Sequence, residues 1–487
     1  VAALVACSGS VDRDGKGGAA GGGVQGAGDS GEALDCPEAF DRDALPDRDR
    51  ILADIEALAA AAPQQGGDAS NVAWVDGMEA RFAALPGAVV ERTETAVQLG
   101  EVSAAALVAT WDGVATDVAV HGALPVSGTV DAPSRYLEPG AAPPADMAGR
   151  VAVMELGFDG SALSALREDL LLESDPRGTL AEQAEYRADA SRVRPWQLGG
   201  VQAQLDAAVS AGAVGVVLLS GLSAELTEAL HLDLELPPVP LVLVADEPAR
   251  RLRDAARVGT GFQAAITVEA ERPSVAAPGL RVRLSGATPE LVALHAASDP
   301  RNVVELGGAL TLLALVEALS ELPPGCRERD LLVDLSPGWR ADHAGAAALA
   351  ADLAPLDPVW LGVVAHAGAV EHLPDGAVAE DLVRTGLLEP RFVSIDAGEG
   401  LAGFVVDTVA AEALDRAWVL DRPAGFGAAS ALAGLDAPVV ERHSGPWTLP
   451  FAERGATAVD PTAIRSDAAW LGALLHETGA AGAAELR

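Results

Sequence analysis

The chain has 487 residues, long enough for two or three domains with sizeable cores. Its 71 acidic side chains outnumber 33 basic ones, for a formal charge of −38, which argues against nucleic acid as a partner because phosphate binding needs basic patches. It is 49% hydrophobic and only 4% aromatic, which suits helices packed on sheets rather than disorder.

The first residues, Val1-Ala-Ala-Leu4-Val5-Ala6-Cys7-Ser8, resemble a bacterial lipoprotein box in which Cys7 becomes the lipidated terminus. Residues 1–7 are accordingly expected to be the end of a signal peptide, and the protein to be held at the cell envelope by an acyl anchor, outside the cytoplasm, on a bacterial outer membrane or cell surface. No apolar run reaches the roughly 20 residues a membrane helix needs. Residues 8–46 read as a flexible tether, rich in Gly, Ala, Ser and Asp through residue 34 and carrying the one lysine, Lys16. The two remaining cysteines, Cys36 and Cys326, pair in an exported chain or stay as separate thiols, and spacing alone leaves both open.

From Asp47 the pattern becomes regular. Ile51, Ile55 and Leu58, then Val75, Met78, Phe82 and Leu85, recur at helical spacing, with Pro63 to Ser70 between the two helices. Short β-type runs follow Pro86-Gly87, and residues 47–145 form a first region. In residues 146–273 a glycine-opened strand (Gly149 to Val153) precedes a polar, acidic insertion from Asp159 to about Pro195. A helix over Val201 to Ser210, a buried strand to Leu219, a strand after Pro240 and a helix from Glu247 complete that region. In residues 274–487 strands and helices alternate, the mark of a sheet with helices on its faces. The expected fold is α/β, a mixed and mostly parallel sheet flanked by helices, with a smaller inserted α/β domain over 146–273.

The middle region resembles a protease-associated domain through Gly149-Arg-Val-Ala-Val, Ala211-Gly-Ala-Val-Gly-Val-Val and Pro238-Val-Pro-Leu-Val. The flanks are similar to the zinc aminopeptidase and glutamate-carboxypeptidase family of metallopeptidases, in the helix pair Arg48 to Leu85 and in Leu291 to Leu353, Trp360 to Gly368 and Pro450 to Gly455. That resemblance implies two zinc ions held by imidazoles and carboxylates, with a glutamate base acting on a bridging water. Position by position, His295 matches the first histidine, but Ala297 stands at the following aspartate. Arg301 to Glu305 supplies no bridging aspartate, Gly338 and Trp339 replace the Glu-Glu pair, and Ala365 replaces the next aspartate. No histidine follows Pro450-Phe451 until His476, too far into the last helix.

The resemblance therefore implies a peptidase-like domain that is catalytically silent and acts in binding or assembly, with no catalytic residue, no metal and no cofactor. The partner is expected to be a protein or peptide, with membrane contact through the lipid anchor alone. Two alternatives stand beside it. One is an active zinc exopeptidase with displaced ligands, for which His295, His343, His366 and Asp299 are candidates, with Glu305 and Asp342 near in sequence. The other is a scaffold whose inserted domain alone recognises a partner. Trp339, Trp447 and Phe451 are candidate pocket-lining residues.

Overall fold

The computed structural model describes residues 36–61, 66–157, 160–162, 166–182, 191–193, 198–230, 232, 234–258, 262–299, 302–338, 343–374, 382–396, 399–422, 428–445 and 455–487. Cys7 and the tether up to residue 35 lie outside that set, as do Trp339, Asp342, Trp447 and Phe451.

The two expected helices form over Arg48–Ala61 and Ala69–Ala83, burying Ile51, Ile55 and Leu58, and Val75, Met78 and Phe82. Asp68 caps the second by accepting from the Asn71 amide, satisfying one of the donors a helix start leaves open. Arg81 then ties the pair together, bridging Asp54 at 2.7 Å and Glu317 of a third helix at 2.9 Å.

A nine-stranded sheet runs in the order Ala88–Gln98, Ser274–Leu284, Arg329–Ser336, Thr288–Ala297, Trp360–Val364, Val439–His443, Arg391–Asp396, Ala417–Asp421, Leu170–Ser174. The strands Arg329–Ser336, Thr288–Ala297, Trp360–Val364 and Val439–His443 are parallel to one another, so their carboxyl ends open on one edge. Helix Gly307–Ser320 is buried along its whole length, as a helix apolar on nearly every side requires, with its one charged residue, Glu317, paired to Arg81. It packs with Val292, Leu294 and Ala296 in the main core. Leu291, Ala293, Leu361 and Val363 face the other way, under Ala346, Leu349 and Leu353 of helix Ala344–Leu353 and the short helix Ala428–Leu432. The architecture is mixed α/β, large sheets flanked by helices.

The second sheet has eight strands, in the order Val114–Val118, Glu101–Trp111, Gln263–Glu271, Gly128–Tyr136, Val151–Leu156, Gly215–Ser220, Leu241–Val244, Gly122–Ala123. It runs across the boundary expected at residue 146. Gln263–Glu271 pairs antiparallel with both Glu101–Trp111 and Gly128–Tyr136, so the smaller sheet begins at Glu101. The acidic insertion also crosses over: Leu170–Ser174 pairs antiparallel with Ala417–Asp421 and forms an edge of the larger sheet. Its short leucine run supplies the reason, since Leu166, Leu170 and Leu180 pack with Phe392, Trp418 and Leu420, and Arg167 lies over the Trp418 ring at 5.6 Å.

Residues 37–487 make one compact unit. Cys326, in the turn Pro324–Cys326, and Cys36 are both disulfide-bonded. Among the described residues no helix is long and apolar enough to cross a membrane.

Candidate functional site

The carboxyl ends of the parallel strands form the edge at which open α/β sheets place their ligands. Alternation along Thr288–Ala297 puts His295 on the same face as Leu291 and Ala293, and the side chain is buried there. Its register partner is Asp334 on the adjacent parallel strand. His295 Nδ1 donates to Asp334 Oδ2 at 2.9 Å, and Arg281 Nε donates to the other oxygen at 3.1 Å. Arg281 reaches on to Asp352 of helix Ala344–Leu353 at 2.7 Å. Burial pulls the Arg281 pKa down, but the carboxylates of Asp352 and Asp334 outweigh it and hold the guanidinium above its ordinary value. His295 is thus the end of a charged chain that pins a helix to three strands.

The loops beyond these strands are tied to each other by backbone. Asp299 Oδ2 accepts from the Gly338 amide at 2.6 Å, and Gly338 has φ +95°, a conformation open to glycine at little cost. Asn302 accepts from the amides of Val304 and Glu305 and turns the chain into helix Gly307–Ser320. That helix start sits directly on the end of strand Trp360–Val364. A Cβ at Gly307 would lie 1.9 Å from Ala367 O, and one at Gly308 would lie 2.0 Å from Val364 O.

His366 follows the strand Trp360–Val364 with φ +52° and donates from Nδ1 to Ser444 O at 2.9 Å. Arg442 Nη1 donates to the carbonyls of Ala365 and His366, both at 3.1 Å. Its Nη2 meets Asp467 at 2.7 Å, and Arg391 meets the same carboxylate at 3.2 Å. All three side chains are buried. Burial lowers the Arg442 pKa to about 10; Asp467 opposes that shift and Arg391 adds to it. Sequence reasoning missed this triad, and it missed the buried pair Arg416–Glu371 at 3.0 Å. The signal was a charged residue inside an apolar strand or helix pattern for Arg442, Glu371 and Asp467, and just ahead of one for Arg416.

His443 shares the face of His295, since Val363 pairs with both His295 and Glu441 and His443 lies two residues on. It stacks on Phe392 with ring centroids 5.4 Å apart. His343 begins helix Ala344–Leu353 with φ +53°. Of the sequence candidates, His295 and Asp299 are committed to Asp334 and the Gly338 amide, and His366 to the Ser444 carbonyl. Among the described residues, no group of three or more His, Cys, Asp or Glu is placed to hold a metal ion.

No protein-family model matches the sequence, and no curated protein does. Solved structures do match the fold. An aminopeptidase from Aneurinibacillus sp. strain AM-1 superposes with a TM-score of 0.61 at 13% identity, over 88% of this chain and 93% of that one. A peptidase M28 precursor from Shewanella amazonensis gives 0.61 at 14% identity, with the same coverage. BSAP, a zinc aminopeptidase from Bacillus subtilis, gives 0.58 at 12% identity, over 91% of this chain and 98% of that one. Identities this low carry the fold alone: the chain has an aminopeptidase-like α/β fold.

Zinc, named for the Bacillus subtilis protein, can be tested against the donors present. A zinc site needs three or four N, O or S ligands converging on one point. The described strand ends offer a methyl at Ala297, a hydrogen at Gly338 and a methyl at Ala365, with His295 alone at a matching position. This donor set does not fit, and no catalytic step through zinc is derived from it.

Proposed function

We propose that this chain is a cell-envelope lipoprotein, anchored through Cys7, whose aminopeptidase-like domain binds a protein or peptide partner and does not hydrolyse peptides. The observation that carries the reading is the residue set at the strand ends. Ala297, Gly338 and Ala365 stand where the metallopeptidase resemblance calls for carboxylates. Without base and bridge, hydrolysis would lose at least the roughly 10²–10⁴-fold that a general base supplies.

A second reading keeps an active zinc exopeptidase with displaced ligands. One observation favours it: a histidine whose Nδ1 is held by a carboxylate presents Nε2 as metal-bound imidazoles do, and His295 is held in this way by Asp334. Calorimetric titration with zinc separates the two. The binding reading expects no stoichiometric heat and no change on His295→Ala; a stoichiometric site lost in that variant would overturn it. The anchor is tested by detergent partition of the full-length protein, where Cys7→Ala is expected to move it from the detergent to the aqueous phase.

A further inference from the structure

The eight-stranded sheet ends on a strand with an open side. Among the described residues, Val114–Val118 pairs only with Glu101–Trp111, through an unbroken register from Trp111↔Val114 to Leu107↔Val118. The turn between them is Asp112-Gly113, with φ of +48° and +79°, the two-residue turn that matches strand twist. In such a hairpin the residues flanking the turn exchange hydrogen bonds, and bonded pairs then alternate. Thr116 and Val118 therefore face Ala109 and Leu107, while Ala115 and Asp117 turn their amides and carbonyls outward.

Natural edges are blunted by proline, lysine, bulges or a covering element. This strand, Val-Ala-Thr-Asp-Val, contains none of the first three, and Val114 is 66% exposed. Beside it lies a cleft lined by Trp111, Val118 and Pro248 together with Asp117, Glu247 and Arg251, in which Glu247 is already paired with Arg251 at 3.0 Å. The Trp111 ring is braced by Phe262, 5.6 Å away. An aromatic ring on the edge of a chain with a net charge of −38 suits a cationic side chain on an aliphatic stem.

We propose that this edge takes up an extended, basic segment of a partner protein, which adds a strand to Val114–Val118 and lays a Lys or Arg side chain over Trp111. Two arguments favour such a partner over a second copy: the chain carries a net charge of −38, so copies repel, and a basic segment is attracted to the same field. Main-chain pairing supplies affinity and the cleft supplies selection, the division of labour in strand addition. The surface is separate from the strand-end edge of the larger sheet and does not depend on its chemistry.

The test titrates the full chain with a short, capped, fluorescently labelled peptide alternating arginine and valine, read by polarisation. Saturable binding is expected, with a glutamate–valine counterpart at least about tenfold weaker. Ala115→Pro removes one outward amide while leaving the hairpin pairing intact, and Asp117→Lys reverses a cleft charge; each should weaken binding by about tenfold with an unchanged melting curve. Hydrogen exchange should slow at Ala115 and Asp117 when the peptide is bound. No saturable binding, or binding untouched by both variants, would overturn the proposal. So would protection that grows with protein concentration alone, which would mark a second copy as the occupant.

Discussion

His295 and Asp334 are register partners on adjacent parallel strands, joined Nδ1 to Oδ2 at 2.9 Å in a buried setting. The same carboxylate receives Arg281, so His295 is built into the sheet's own electrostatics. Removing Asp334 leaves Arg281 and His295 facing each other without the intervening charge. Asp334→Ala is expected to lower the unfolding free energy by about 3 kcal/mol in chemical denaturation, the scale for breaking a buried pair from one side. Asp352→Ala, at the exposed end of the chain, should cost less than about 1 kcal/mol. Equal effects of the two would contradict this picture.

The glycine pair at the start of helix Gly307–Ser320 should behave differently from a glycine with room around it. Gly307→Ala and Gly308→Ala drive a methyl into the carbonyls of Ala367 and Val364 and should each destabilise by about 1–3 kcal/mol or more. Gly77, within helix Ala69–Ala83, has nothing within 4 Å of its would-be Cβ. Gly77→Ala should stabilise by about 0.5–1 kcal/mol. Thermal and urea unfolding of the variants read both signs.

Tyr136 gives the eight-stranded sheet an alkaline limit. Burial first, then its hydrogen bond to Glu155 at 2.6 Å, pushes the phenol up to about 12. A group whose folded pKa is raised contributes stability that is fully present below its unfolded value, near 10, and is lost as pH rises through about 12. The stability difference between wild type and Tyr136→Phe should therefore be constant up to pH near 10 and shrink across that window. A difference that does not change with pH there would contradict the assignment.

The charge of −38 sets a salt dependence. Like charges on the surface repel, and salt screens them at a Debye length of about 3 Å at 1 M against about 30 Å at 0.01 M. The melting temperature should rise on going from about 0.01 M to about 1 M KCl. A fall would mean that exposed ion pairs such as Arg92–Asp76 and Arg42–Glu412 outweigh the repulsion.

Much of the fold is legible in the chain because periodicity reports burial. The spacing of Ile51, Ile55 and Leu58 and of Val75, Met78 and Phe82 marks the first two helices, and the apolar run after Leu306 marks the buried helix. Two features escape for a shared reason: they depend on residues far apart in sequence. The edge strand Leu170–Ser174 sits in an acidic stretch and finds Ala417–Asp421 more than two hundred residues later. Asp334 reads as an ordinary polar residue in a strand until register sets it beside His295. The residue types Ala297, Gly338 and Ala365, at the positions where the metallopeptidase resemblance calls for carboxylates, are read directly from sequence. The partners of His366 and Arg442 come only from the way the loops close.

The central proposal, that the strand-end edge does not support peptide hydrolysis, is tested most directly by turnover of purified full-length protein, supplied with zinc or cobalt, on a panel of aminoacyl chromogenic substrates. No cleavage above the buffer rate is expected for wild type, and His295→Ala should be indistinguishable from it. Metal-dependent cleavage by wild type that disappears in His295→Ala would contradict the account and establish an active exopeptidase with displaced ligands.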